Sequence, residues 1–116
     1  MKQNYYVTNK ELLEEIALLH NSGVMSESLG KMLLRIAEQF STRGSFASYT
    51  YRDDMIGEAV LTCCRYLKNF NPDKSKNPFS YITQICLNSF INYIKIQNRH
   101  SQIKDIIYKR MTEEVG

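Results

Sequence analysis

At 116 residues the chain is one domain by length, and a domain of that size buries about two-thirds of its unfolded surface, enough for a single core without staples. Charged residues make up 23% and hydrophobic residues 43%, which is globular rather than disordered composition. No apolar run approaches the roughly 20 residues of a membrane span, the start Met1-Lys-Gln-Asn-Tyr-Tyr6 has no apolar signal core, and three cysteines with Cys63 beside Cys64 do not make a disulfide framework. A reducing cytoplasm and no membrane partner are therefore expected.

Helical periodicity dominates and strand signals are weak. Thr8 with Glu11 reads as a capping box, after which Leu12, Leu13, Ile16 and Leu19 repeat at helical spacing until Asn21-Ser-Gly23. A second helix fits about Glu27 to Phe40, with Leu29, Met32, Leu33, Ile36 and Phe40 on one face. Ser41-Thr-Arg-Gly-Ser45 breaks it, and Phe46, Tyr49 and Tyr51 in the connection are expected to pack back on the bundle.

A third helix starts near Thr50, with Asp53 placed to close a capping box. Met55, Ile56, Ala59, Val60, Cys63, Leu67 and Phe70 form its apolar stripe. Asn71-Pro-Asp-Lys-Ser-Lys76 is a turn cluster. Asn77 then caps a fourth helix with Pro78 at its first position, and Phe79, Ile82, Ile85, Cys86, Ser89, Phe90, Tyr93 and Ile94 carry it to about Asn98. The pattern Ile103, Ile106, Ile107, Met111 suggests a short fifth helix or a tail. The expected architecture is an all-α single compact bundle of four to five helices, with a helical domain over 1–100 and a short C-terminal helix or tail over 101–116.

Signals for catalysis are poor. His20 and His100 stand apart, Cys63 and Cys64 point about 100° apart on a helix so that at most one faces the core, and no glycine-rich phosphate loop is present. Asp53, Asp54 and Glu58 suggest a carboxylate metal site but equally suit a helix start, where negative charge gains about 0.3–1 kcal/mol; Glu58 lies beyond the reach of that explanation. No catalytic residues, metal or cofactor are expected.

The positive signal is uneven charge. Residues 1–64 hold six Lys/Arg against eight Asp/Glu, while residues 65–110 hold nine Lys/Arg against Asp73 and Asp105. A basic half on a small domain points to a polyanion, the plain alternative being a solvated basic face. Tyr66, Phe70, Phe79, Tyr81 and Tyr93 interleave with Arg65, Lys68, Lys74, Lys76, Lys95 and Arg99. Aromatic faces that stack on bases and cations that follow phosphates are what single strands need. On a helix, Tyr81, Asn88, Asn92, Lys95 and Arg99 fall broadly on one side, away from Phe79, Ile82, Cys86 and Phe90.

Three segments carry a resemblance. Asp54-Met-Ile-Gly-Glu-Ala-Val-Leu61, Tyr66-Leu-Lys-Asn-Phe70 and Phe79-Ser-Tyr-Ile-Thr83 look like the second conserved region of bacterial sigma factors, where an acidic helix start of the "DLIQEG" kind precedes "KFD" and "FSTYA". The chain is more similar still to the late-transcription sigma factors of T-even-type myophages, through Asn4 to Leu13, the turn Lys68 to Pro78, and Tyr81-Ile-Thr-Gln-Ile-Cys86. The resemblance spans about residues 4 to 100. It implies a factor that directs host RNA polymerase core to late promoters in the cytoplasm of an infected bacterium. Asp53, Asp54, Gly57, Glu58 and Leu61 would dock on the coiled coil of the largest-subunit clamp. The non-template strand of an AT-rich, minus-ten-type element would be held by Phe79, Tyr81, Thr83, Gln84, Asn88, Asn92, Lys95 and Arg99, with Lys74 and Lys76 in the preceding turn.

Two departures from the family stand out. Primary sigma factors place tryptophans where Gln84 and Ile85 stand, and this chain has no Trp. The length leaves no room for a helix-turn-helix that reads a distal element. Phage late factors share that lack and use a coactivator and a C-terminal acidic-hydrophobic motif that binds a sliding clamp; Met111-Thr-Glu-Glu-Val-Gly116 is shorter and less hydrophobic than that motif. The rival readings are a polymerase-docking protein that does not read promoters, a generic single-strand-binding helical module and, more distantly, a metal-dependent nuclease.

Overall fold

The computed structural model describes residues 7–42 and 50–115. Phe46 and Tyr49, and the start of the Asn4 to Leu13 segment, lie outside the described residues. Four helices pack together: α1 (Asn9–Ser22), α2 (Glu27–Ser41), α3 (Arg52–Tyr66) and α4 (Pro78–Val115), with a 3-10 turn (Leu67–Asn69) after α3. The chain is an all-α helical bundle, and the described residues include no strand. None of the helices among them is long and apolar enough to cross a membrane.

Local chemistry explains most boundaries. Thr8 Oγ1 accepts from the Glu11 backbone N–H at 3.3 Å and its hydroxyl donates to the Glu11 carboxylate at 3.1 Å, satisfying one of the free donors at the helix start. Gly23, at φ 73°, ends α1 in the left-handed region, its N–H donating to the Leu19 carbonyl. Ser26 caps α2 by accepting from Leu29 N–H at 3.0 Å, and its hydroxyl donates to Glu15 on α1 at 2.9 Å, so one side chain both starts a helix and ties it to its neighbour. Asn77 Oδ1 accepts from Ser80 N–H at 3.1 Å, with Pro78 at the first helical position as its sequence predicts.

Two expectations need correction. α3 begins at Arg52 behind Tyr51, which makes no side-chain cap bond, so Thr50 and Asp53 form no capping box. Tyr51 instead stacks at a tilt on Tyr93 of α4, ring centroids 5.5 Å apart, so tertiary packing anchors that end. Nor does α4 stop near Asn98: it runs unbroken for 38 residues, about 57 Å. Nothing over Gln97–Ser101 removes a backbone donor or demands a positive φ.

The core draws on all four helices: Leu12, Ile16 and Leu19; Leu29, Leu33 and Ile36; Met55, Ala59 and Cys63; Ile82, Cys86 and Phe90. These are the apolar stripes at helical spacing. α3 and α4 run antiparallel, since the start of α3 meets Tyr93 while its end meets Tyr81, whose hydroxyl donates to the Tyr66 carbonyl at 3.1 Å. His20, exposed at the end of α1, donates from Nε2 to the Leu67 carbonyl at 3.1 Å and so serves a backbone joint. The Cys63 and Cys86 sulfurs sit 3.9 Å apart in the core, and Cys64 is half-buried. Beyond Ile94 the side chains of α4 are almost all exposed, and the helix leaves the bundle as an overhang.

The bundle and the overhang should therefore differ sharply in sensitivity. Phe90→Ala, which empties a fully buried site packed on Phe40, is expected to cost about 3–5 kcal/mol in urea unfolding. Tyr108→Ala on the overhang, 72% exposed, is expected to stay within about 0.5 kcal/mol. Equal effects would contradict the packing described.

Candidate nucleic-acid interface

Two grooves run along α3, one shared with α4 and the other with α2. The first has a volume of about 810 Å³ and is walled by Glu58, Thr62, Arg65 and Tyr66 of α3 and by Tyr81, Gln84, Ile85, Asn88, Ser89, Asn92, Tyr93 and Ile96 of α4. Its α4 wall follows from helical geometry: steps of three and four from Tyr81 return to the same face. Gln84 donates from Nε2 to Asn88 Oδ1 at 3.1 Å, so two of these amides are mutually oriented and still expose donors and acceptors to the groove. Ile85 and Ile96 supply apolar surface between them.

Tyr81 is less open than its sequence suggests. Its ring is half-buried and packs at a tilt on buried Phe70, centroids 5.1 Å apart, while its hydroxyl is held by the Tyr66 carbonyl. Tyr66 is the more accessible aromatic, 50% exposed, at the same end of the groove. Tyr81 thus orients the backbone that carries Tyr66, and Tyr66 offers the free ring face.

The second groove, about 590 Å³, is formed by Gly30 and Leu34 of α2, by Asp53, Asp54, Gly57, Glu58, Val60 and Leu61 of α3, and by Tyr93. A Cβ added at Gly30 or Gly57 would meet nothing within 4 Å, so both glycines leave the floor open rather than fill a tight contact. Leu34 and Leu61 are exposed. An acidic rim over an apolar floor is a surface for a basic, partly apolar partner. Glu58 and Tyr93 belong to both grooves.

The structure sorts the sequence-derived residues unevenly. Asp53, Asp54, Gly57, Glu58 and Leu61 all fall in the second groove. Tyr81, Gln84, Asn88 and Asn92 fall in the first. Lys95 and Arg99 are exposed farther along the same face of α4, and Lys74 and Lys76 are exposed in the turn that precedes it. Phe79 and Thr83 are not brought to either groove. Phe79 packs against the core and its N–H donates to Asn9 Oδ1 at 2.9 Å; Thr83, on the opposite side of α4 from Asn88, donates to the Ser80 carbonyl at 3.0 Å. Arg65 and Tyr66, which the sequence offers only as part of its general basic and aromatic signal, and Thr62 and Ser89, to which it gives no functional role, complete the first groove. The spacing carries that signal: Thr62 stands four residues after Glu58, and Arg65 and Tyr66 stand three and four after Thr62.

No protein-family model matches the chain. No curated protein matches it either. The site is therefore argued from its own residues. Among the described residues no group of three His, Cys, Asp or Glu side chains is arranged to hold a metal ion, the three acids of α3 included.

The three thiols differ by environment. The contact with Cys86, reinforced by burial, pushes the Cys63 thiol well above its ordinary range, and burial also raises Cys64. The same contact lowers the Cys86 thiol against its burial, but Cys63 and Cys86 both have no solvent access and are therefore expected to be inert in the folded protein. A disulfide-exchange reagent added to native protein should titrate one thiol, Cys64, with the other two appearing only on denaturation. Fast reaction of two or more would contradict the α3–α4 packing.

Proposed function

We propose that the chain is a sigma-type specificity subunit of phage origin. It docks on host RNA polymerase core through the second groove and holds the non-template strand of an AT-rich promoter element along the first. It catalyses nothing itself. One observation carries this reading. Residues suited to a protein partner and residues suited to a single strand occupy two separate grooves on one helix pair, with Glu58 and Tyr93 as their common wall.

The division of labour follows from the side chains. Tyr66 offers a ring to an unstacked base, worth about 1–3 kcal/mol. Gln84, Asn88 and Asn92 offer paired amide donors and acceptors to base edges. Arg65 at the groove and Lys95 and Arg99 beyond it follow the phosphates. AT-rich sequence suits such a site because it unpairs at lower cost. Three phosphate contacts make a weak, salt-sensitive complex, so docking on polymerase has to deliver and align the strand. The acidic rim of Asp53, Asp54 and Glu58 supports docking on a basic helical surface such as the clamp coiled coil, with Leu61 and Leu34 supplying apolar contact.

Run-off transcription with polymerase core on an AT-rich promoter tests the proposal. Tyr66→Ala and Asn88→Ala are each expected to lower initiation about 5- to 150-fold, the equivalent of about 1–3 kcal/mol, and Glu58→Lys to abolish core binding in a pull-down. If Glu58→Lys alone has an effect, the chain docks without reading promoters. If none of the three matters, the sigma reading fails. For the isolated chain on single-stranded oligonucleotide, Arg99→Ala is expected to flatten the salt dependence of log affinity by about 0.7; an unchanged slope would remove Arg99 from the strand path.

A further inference from the structure

The overhang of α4 carries an apolar stripe that no other described residue of the bundle covers. Ile103, Ile107 and Met111 recur at steps of four and are about half exposed or more, at 47%, 52% and 61%, with Ile106 beside them. Arg99 and Arg110 flank the stripe on one side and Lys104 on the other, by the 100° step of the helix. Most helical stability in proteins comes from packing an apolar face, and the overhang packs none against the bundle. The last turn has no basic residue to oppose the helix dipole, and Glu113 adds an unfavourable charge there. The overhang therefore lacks means of its own to hold an apolar face in solvent, and exposed apolar stripes of this kind mark contact surfaces.

The second groove is its complement in three respects. Its floor is apolar where the stripe is apolar: Leu34, Val60 and Leu61. Its rim is acidic where the stripe is flanked by base: Asp53, Asp54 and Glu58 against Arg99, Lys104 and Arg110. Its length matches too, since Asp53 to Leu61 and Ile103 to Met111 are each eight steps along a helix, about 12 Å. The stripe cannot reach the groove of its own chain. α4 is one unbroken helix that passes the groove at Tyr93 and continues away from it. A second copy has no such constraint.

We propose that the chain self-associates, the overhang of each copy seating Ile103, Ile107 and Met111 in the acidic groove of the other. Reciprocal seating about a two-fold axis uses both surfaces twice and closes the assembly at two copies. The dimer covers Asp54, Glu58 and Leu61, the surface assigned above to polymerase. Self-association then competes with docking and holds the free protein in a form that does not engage the enzyme. The dimer itself does not depend on the polymerase reading, because it is measured without polymerase.

Sedimentation equilibrium of the full chain tests it. The mass is expected to rise from 13.6 kDa towards twice that value with concentration, and to fall back as salt is raised. Ile103→Glu with Ile107→Glu is expected to leave the protein monomeric with its helix content intact, since neither side chain touches the bundle. Asp54→Lys with Glu58→Lys is expected to do the same, and adding Lys104→Glu with Arg110→Glu to that chain to restore the dimer by reversing both charges. A wild-type monomer at every concentration overturns the proposal. So does a dimer that survives Asp54→Lys with Glu58→Lys, which would place the contact between two overhangs, and so does a mass that climbs past two copies, which would mean an open, non-reciprocal chain.

Discussion

Cys63 and Cys86 meet sulfur to sulfur at 3.9 Å in the seam between α3 and α4, and that close approach sets what either helix can present. Ala59, Cys63 and Cys86 are buried there in one cluster with Met55, Ile82 and Phe90. The seam is locked at its two ends by different chemistry. Tyr51 packs on Tyr93 at one end, and the Tyr81 hydroxyl bonds the Tyr66 carbonyl at the other. With rotation about the helix axes so restricted, the acidic side of α3 must face one groove and the amide side of α4 the other. The two grooves are consequences of one packing decision.

That coupling gives the proposed function its physical sense. Three cations and one or two stacked rings are too little to hold a strand firmly on their own, since most such affinity is electrostatic and salt-dependent. A protein contact a few ångströms away, sharing Glu58 and Tyr93 as walls, turns weak binding into an intramolecular event. The same economy makes the acidic groove vulnerable to occlusion. On the proposed function, whatever fills it, polymerase or the overhang of a second copy, would decide whether the first groove is delivered to a promoter.

Much of this was legible in the sequence because it rests on local rules. Thr8, Gly23, Asn77 and Pro78 mark helix ends by side-chain or backbone chemistry that needs no tertiary context, and the buried stripes of all four helices follow the 3.6-residue period. The failures were tertiary. Thr50 and Asp53 read as a cap, but the start of α3 is set by the packing of Tyr51 on Tyr93. Periodicity puts Phe79 on the core side and Tyr81 on the open side, while the family resemblance puts both on the strand; an aromatic near the start of a helix has two fates, stacking outward or packing inward, and periodicity alone does not choose for Tyr81. The Asn9 side chain that caps Phe79, seventy residues away, and the Phe70 ring under Tyr81 make the choice here. The meeting of Cys63 with Cys86 and the acidic groove between α2 and α3 involve residues distant in sequence, so no spacing rule reveals them. The extent of α4 was missed for a different reason: Gln97 to Ser101 lacks an apolar stripe, and an interruption in burial reads in sequence like an interruption in the helix.

The central claim is that opposite sides of one helix pair meet different macromolecules, and site-directed photocross-linking reads that most directly. A photoreactive residue would replace Asn88 in one chain and Leu61 in another, each mixed with RNA polymerase core and a promoter whose strands are separately labelled. The account requires Asn88 to cross-link the non-template strand and Leu61 to cross-link a polymerase subunit. Both positions capturing the same partner, or Asn88 capturing only protein, would contradict it.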